Sequence, residues 1–297
     1  MQLHGVDIID TFAEAFSTKV TRLIITAATE RRARIAANEA CGYATSVIAC
    51  DCEAAIDQVI PAEASPDGRP GVSVLMFAFS RDSLAKAAQQ RVGQCILTCP
   101  TTACYNGLPE GDEGKSISVG GAIRYFGDGL QSSKKLGKRR FWRLPVMDGE
   151  FLCEDKFGTL TGVAGGNILI CGRDAESTLK AAEAASEAMQ SVDGVILPFP
   201  GGIVRSGSKV GSKYPKLKAS TNDPYCPTVR PLSKSEIPAE CECVYEIVAD
   251  GLNFDVVKQA MKLGLHAAAE TSGILQITAG NYGGKLGKHH FHLSELL

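Results

Sequence analysis

Hydrophobic and polar positions change period along the N-terminal half of the chain in a way that predicts alternating strands and helices. Arg22–Thr26 (RLIIT) is β-branched and strand-like. Glu30–Cys41 is Ala-rich with apolar residues at helical spacing, and Ala44–Ala49 is predicted as a returning strand. The run Pro66-Asp-Gly-Arg-Pro-Gly71 is a turn signal. After it the pattern predicts a strand over Val72–Phe79, a helix over Arg81–Gln94 and a strand over Cys95–Thr98. Gly107–Arg140 is looser and rich in Gly and Lys, with hairpin strands predicted around Ala122–Phe126 and Arg140–Pro145. Near the start, Thr11-x-x-Glu14 has the spacing of a capping box, in which the two side chains satisfy free N–H groups at a helix N-terminus. That reading predicts a helix beginning here. A role for Glu14 beyond capping is the other reading.

The C-terminal half repeats itself. A shift of 79 residues lays Asn167-Ile-Leu-Ile-Cys-Gly172 on Glu246-Ile-Val-Ala-Asp-Gly251 and pairs Gly194 with Gly273, Gly201 with Gly280 and Lys209 with Lys288. Each copy reads strand, amphipathic helix, strand, Gly-rich turn, strand. The second helix has Val256, Val257, Ala260, Met261, Gly264, Ala267 and Ala268 on one face; the first has Leu179, Ala182, Ala185 and Met189. Paired βαβ units of this kind predict an α+β protein of two ferredoxin-like (split βαβ) lobes, with helices packed on mostly antiparallel sheets. The expected boundary lies near Gly149, giving an N-terminal lobe of residues 1–148 and a C-terminal lobe, carrying the repeat, of residues 149–297.

Composition narrows the function. A length of 297 residues suits two lobes, and a net charge of −2 gives no reason to expect nucleic acid or a membrane surface as partner. The basic clusters Lys134-Lys135 and Lys138-Arg139-Arg140 sit beside glycines and read as a solvated hairpin. No apolar run approaches the ~20 residues that cross a bilayer. The N-terminus lacks the pattern of a secretion signal, so a soluble cytoplasmic protein is expected. The 11 cysteines include no C-x2-C pair, and an odd number fits no closed disulfide set; a reducing compartment is expected, with Cys171 and Cys50 as buried small hydrophobes.

Cofactor motifs miss their spacing. In Pro198–Gly211, Ser208 stands where a phosphate-binding loop would have its lysine. The glycines there can instead let backbone approach a ligand closely, with Arg205, Ser206 and Lys209 meeting an anionic substrate tail; a tight turn with exposed bases is the alternative. His290 and His292 would share a strand face, but no third ligand stands at metal spacing, so no metal is expected. Cys226, on a proline-pinned loop, lacks a partner base in the sequence. Glu246 is the more informative residue. It lies in an apolar strand between Tyr245 and Ile247, where partial desolvation would raise its pKa toward acid–base use, and its repeat counterpart, Asn167, is uncharged. A solvent-facing residue of an alternating strand is the other reading.

Eight blocks, in order, give a resemblance: DTFAEAF at 10–16, SPDGRPGV at 65–72, GQCILTCPT at 93–101, TGVAGGN at 161–167, PFPGGIV with SGSKVGS at 198–212, ASTND-YCPT at 219–228, VYEIV at 244–248 and AGNYGGKLG at 279–287. The chain resembles, over its whole length, the formylmethanofuran:tetrahydromethanopterin formyltransferases. The resemblance implies reversible formyl transfer in a ternary complex without a prosthetic group, methanofuran and tetrahydromethanopterin acting as cosubstrates. It also implies one-carbon metabolism (methanogenesis or formaldehyde oxidation), a homotetramer, and association with formylmethanofuran hydrolase-type subunits. In that frame Glu246 is the expected proton shuttle. Gly165, Gly166 and Asn167 are candidate oxyanion donors by pseudo-symmetry, and any substrate contact within Gly111–Gly121 is in question. A non-catalytic methanofuran-binding scaffold subunit is the competing function.

Overall fold

The computed structural model describes residues 1–109 and 115–297, so part of the Gly111–Gly121 stretch lies outside the described residues. The chain divides into two compact units, Thr18–Gly162 and Met1–Ser17 with Val163–Leu297. This grouping differs from a single cut between residues 148 and 149. Gly149, at that cut, pairs with Val146 at the tip of a hairpin formed by Arg139–Val146 and Gly149–Glu154, which this grouping keeps together. The first residues group with the far end of the chain because Phe12–Ala15 pair with His289–His292.

In the Thr18–Gly162 unit the elements are β1 (Phe12–Thr26, from Thr18 onward), α1 (Glu30–Cys41), β2 (Glu53–Ile60), β3 (Gly71–Ala78), α2 (Arg81–Arg91) and β4 (Ala103–Asn106). The strands run in the order β2–β3–β1–β4, all neighbours antiparallel, and Gly149–Glu154 extends the sheet parallel to β4. This is the split βαβ order. Helix α1 buries Ala33, Ala36, Ala37 and Ala40, one stripe at 3.6-residue spacing. Thr29 and Ser80 cap the two helices by accepting the N–H groups of Arg32 and Ser83.

Three expected strands in this unit are absent. Residues 44–49 form turns, with Ala49 and Cys50 N–H both donating to Ser46 O, and the strand begins at Glu53. Cys50 accordingly sits half-buried in a turn rather than in a strand. Residues 92–96 continue α2 as a π turn, Leu97 N–H reaching Val92 O at 2.8 Å, and the strand waits until Ala103. Gly120–Gly127 is helical instead of extended. Each is a short apolar run, whose periodicity does not separate strand from buried helix. The Lys-rich hairpin is exposed as expected.

The other unit holds the repeat as β5 (Leu160–Gly172, from Val163 onward), α3 (Ala175–Gln190), β6 (Val195–Ile196), β7 (Cys243–Gly251), α4 (Phe254–Ala269) and β8 (Ile274–Thr278). The two helices have equal length and start 79 residues apart, as do β6 and β8. The strand order is β8–β5–β7–β6, antiparallel throughout, so this unit is also ferredoxin-like. Both helices pack on one face of the sheet over Ile168, Ile170, Ile247 and Ala249. Leu179, assigned to the apolar stripe, is largely exposed, and Ala181 takes its place in the core. Among the described residues no helix is long and apolar enough to cross a membrane.

Gly264 lets α3 and α4 touch: a Cβ there would lie 2.5 Å from Met189 Sδ. Gly264→Ile is expected to destabilise the protein by about 1–3 kcal/mol through overpacking, read as a lowered urea midpoint at unchanged m-value.

Candidate functional site

Side chains alternate across the sheet of the repeat. Ile168, Ile170, Ile247 and Ala249 face the helices. Asn167, Glu246, Gln276 and Thr278 therefore face the other way, onto a helix-free surface. The register keeps them close, since Glu246 pairs with Leu169 on β5 and Leu169 with Thr278 on β8. Two segments cover this surface. One is the long connection from β6 to β7, which carries a small hairpin (Ser208–Val210 with Ala219–Thr221) and short 3-10 turns. The other is the segment that follows β8. Between them lies a cavity of about 370 Å3, with Asn167, Glu246 and Thr278 on its floor and Lys209, Tyr225 and Tyr282 on its walls.

Glu246 is held by its backbone on both sides. It is paired with Leu169, and its N–H and C=O bond Val204 at 2.9 and 2.7 Å. Its carboxyl group makes no hydrogen bond among the described residues, and burial raises its pKa to about 7. Segments distant in sequence provide this cover, in addition to the apolar neighbours within the strand. Tyr282 lies close enough for the Glu246 charge to act on its hydroxyl, whose pKa is raised by burial first and by Glu246 and Glu14 after it.

Glu14 corrects the capping-box reading. Residues 10–16 lead into and form β1, not a helix. The Glu14 side chain, 1% exposed, accepts four backbone hydrogen bonds: from Tyr282 and Gly284 on Oε2 (2.7 and 2.8 Å) and from Leu286 and Gly287 on Oε1 (2.5 Å each). Burial alone would raise its pKa; the four N–H donors outweigh this and hold it below its ordinary value. The motif's polar spacing was visible in the sequence, but its partners lie some 270 residues away.

The remaining expected residues are dispersed around this frame. Asn167 lines the cavity, and its amide is engaged: Nδ2 donates to Gly165 O and Gly280 O (3.1 Å each) and Oδ1 accepts Gly280 N–H at 2.6 Å. Gly165 N–H donates to Asp250 Oδ1 at 3.0 Å, and Gly166 packs under α4, where a Cβ would meet Val257 at 2.5 Å. Lys209 lines the cavity wall and pairs with Asp223, whereas Arg205 and Ser206 are exposed and outside the lining. Cys226 Sγ lies 3.5 Å from Thr221 Oγ1 and 3.4 Å from Asn222 O. Several lining residues were not singled out in the sequence, among them Tyr225, Glu236 and Tyr282. Tyr225 Oη donates to Glu236 Oε2 at 2.7 Å, one wall of the cavity. The density of glycines around Asn281-Tyr282 was the available signal for the third.

The model of the family described as formylmethanofuran-tetrahydromethanopterin formyltransferase matches residues 1–146, and that of its proximal lobe matches residues 149–296. A formylmethanofuran–tetrahydromethanopterin formyltransferase of Methylobacillus flagellatus is 52% identical over all of both chains. A component of the formyltransferase/hydrolase complex of Methylorubrum extorquens is 52% identical over 99% of this chain and 97% of its own. Among solved structures, the Methanosarcina barkeri formyltransferase superposes with a TM-score of 0.93 at 47% identity, covering 100% of each chain. A chain of the Methylorubrum extorquens complex, solved with methylofuran, gives a TM-score of 0.96 at 51% identity, covering 100% of this chain and 98% of its own.

The depressed pKa of Glu14 sets the sign of an acid effect. Its carboxylate contributes stability above its unfolded pKa, near 4.5, and that contribution is lost as pH falls through the lower folded value. The stability gap between the wild-type protein and Glu14→Gln is thus expected to be full at pH 7 and to close in acid, checked by melting both proteins between pH 7 and pH 3.

Proposed function

The chain belongs to the formylmethanofuran–tetrahydromethanopterin formyltransferase family, and we propose that it transfers a formyl group reversibly from N-formylmethanofuran to N5 of tetrahydromethanopterin or a related tetrahydropterin, directly, within a ternary complex. The observation that carries the catalytic part is Glu246, a carboxyl group without a hydrogen-bond partner among the described residues, tuned by burial to about 7, on the floor of the cavity.

A formamide is a poor acyl donor. The pterin amine attacks its carbonyl carbon, the C=O electrons move onto oxygen, and the tetrahedral centre collapses by breaking the C–N bond to the furfurylamine nitrogen. The attacking amine must lose a proton and the leaving amine must gain one. A single carboxyl group near pH 7 can take the first and deliver the second. Glu246 is that shuttle. Half-buried in an otherwise apolar strand, it is also shielded from bulk water, which strengthens its interaction with charge that develops during attack.

Substrate binding in this reading draws on Asn167 and Lys209 at the cavity, with Gly165 and Gly166 beneath it and Arg205 and Ser206 at its outer approach, where cations meet an anionic tail. The Gly165–Asn167 segment, the oxyanion donor suggested by pseudo-symmetry, has Gly165 N–H engaged by Asp250 and the Asn167 amide by Gly165 O and Gly280 O, and of the three only Asn167 lines the cavity. No prosthetic group or metal takes part. The protein works in the cytoplasm as a homotetramer, a reading supported by the family resemblance. Association with hydrolase-type subunits is supported by the Methylorubrum extorquens relative, which is part of a formyltransferase/hydrolase complex. The unpaired, tuned carboxyl group favours a catalyst over a scaffold subunit.

The purified chain is expected to form formyltetrahydromethanopterin from the two cosubstrates. Glu246→Gln should lower kcat by about 10²–10⁴ while leaving KM within a few-fold, as removal of a proton shuttle does. A loss under about tenfold would remove Glu246 from the mechanism. Because transfer to the pterin begins with the ionised carboxylate, the rate is expected to rise with pH to a limb near 7 and level off above it.

A further inference from the structure

The geometry points to Glu14 as a positioning residue whose buried carboxylate shapes the Asn281–Gly287 loop and so sets Tyr282 on the wall of the formyl-transfer cavity. The inference rests on the functional reading of that cavity.

On β1, residues 12, 14 and 16 share a face by the two-residue alternation of a strand, and all three engage the loop. Phe12 O accepts a hydrogen bond from Asn281 Nδ2 at 3.3 Å, and the Phe16 and Tyr282 ring centroids are 6.3 Å apart. Between them Glu14 receives the four loop N–H groups. A loop has no ladder of its own, so its backbone donors must find other acceptors or water. Here one carboxylate serves four of them, and charge-assisted bonds of this kind are stronger than neutral ones.

The loop sequence is built for this convergence. Gly283 and Gly284 have φ of +73° and +70°, conformations that only glycine takes without strain; the turn they form aims the Tyr282 and Gly284 N–H groups at Glu14, while Gly283 N–H between them bonds Asn281 Oδ1 at 3.0 Å. Gly287 passes so near β1 that a Cβ would stand 2.4 Å from Ala15 O. A Cβ on Gly284 would meet His290 Cε1 at 3.2 Å and Phe12 Cζ at 3.4 Å, so the loop also lies flat on the rings beneath it. Before the loop, Gly280 is tied to Asn167, and Asn281 bonds Thr11 Oγ1 at 3.0 Å. Tyr282 is thus fixed from both ends. Its own N–H is one of the four that Glu14 holds, and its side chain lines the cavity near Glu246.

Glu14 does not line the cavity, so it acts through the loop. Its loss is expected to disturb substrate seating more than the proton transfer. Gln at this position keeps the shape but offers one acceptor oxygen and turns an NH2 group toward N–H donors.

The test is steady-state kinetics of Glu14→Gln, with amide hydrogen exchange of the wild-type protein beside it. Glu14→Gln should raise KM for at least one cosubstrate by about tenfold while kcat stays within about threefold, the pattern of lost ground-state positioning. The pH limb near 7 should not move. The amides of Tyr282, Gly284, Leu286 and Gly287 should be protected in the wild type despite lying outside any ladder. If Glu14→Gln does not fold, Gly284→Ala, which disturbs the loop and leaves Glu14 in place, should show the same rise in KM. Wild-type KM in the folded variant, or free exchange of the four amides in the wild type, overturns the proposal. Failure of the cavity reading gives a different result: Glu246→Gln would then retain its kcat, whatever Glu14→Gln does.

Discussion

A half-buried carboxyl group without a hydrogen-bonding partner among the described residues is the constraint on which the site depends. Left in water, Glu246 would be a fully ionised surface residue of an alternating strand. Two segments close over the helix-free face of the sheet and leave it half-buried, and that burial pushes its carboxyl group up to about 7. Desolvation of an unpaired carboxyl is costly, so the fold must hold it there by other means. Backbone pairing to Leu169 on one side and Val204 on the other does so, fixing the strand whatever the side chain's preference.

Glu14 shows the opposite use of the same residue type in the same unit. It is buried more deeply, yet its pKa is lowered, because four N–H groups converge on it. One carboxylate is kept ionised so that it can hold a loop; the other is kept near neutrality so that it can exchange a proton. Such separation of two carboxyl groups by environment is the usual means by which a protein assigns different work to identical chemistry. The loop between them, with Tyr282 facing both charges, couples the two environments in space.

The internal repeat explains how such a site can arise on a symmetric frame. Both copies supply a strand, a helix of equal length and a second strand at the same 79-residue offset. The symmetry stops at the polar face. Asn167 in one copy uses its amide to tie Gly280, while the Glu246 carboxyl group in the other has no hydrogen bond among the described residues. The frame supplies equivalent positions, and the coverings give them different chemistry.

By itself the sequence determined the frame of the protein. The helices over residues 30–41 and 254–269, the turn at 66–71 and the repeat are all local in origin, since period, caps and glycine placement act over a few residues. It also marked Glu246, because a charge among Tyr and Ile is anomalous within its own strand. The strands expected at 44–49, 95–98 and 122–126 were lost because a short apolar run leaves its conformation to packing. Only the tertiary structure decided the meaning of Glu14. Its spacing from Thr11 is that of a helix cap, but its acceptors were claimed by N–H groups at 282–287, and no pattern within the first sixteen residues encodes a partner brought there by the closing of the sheet.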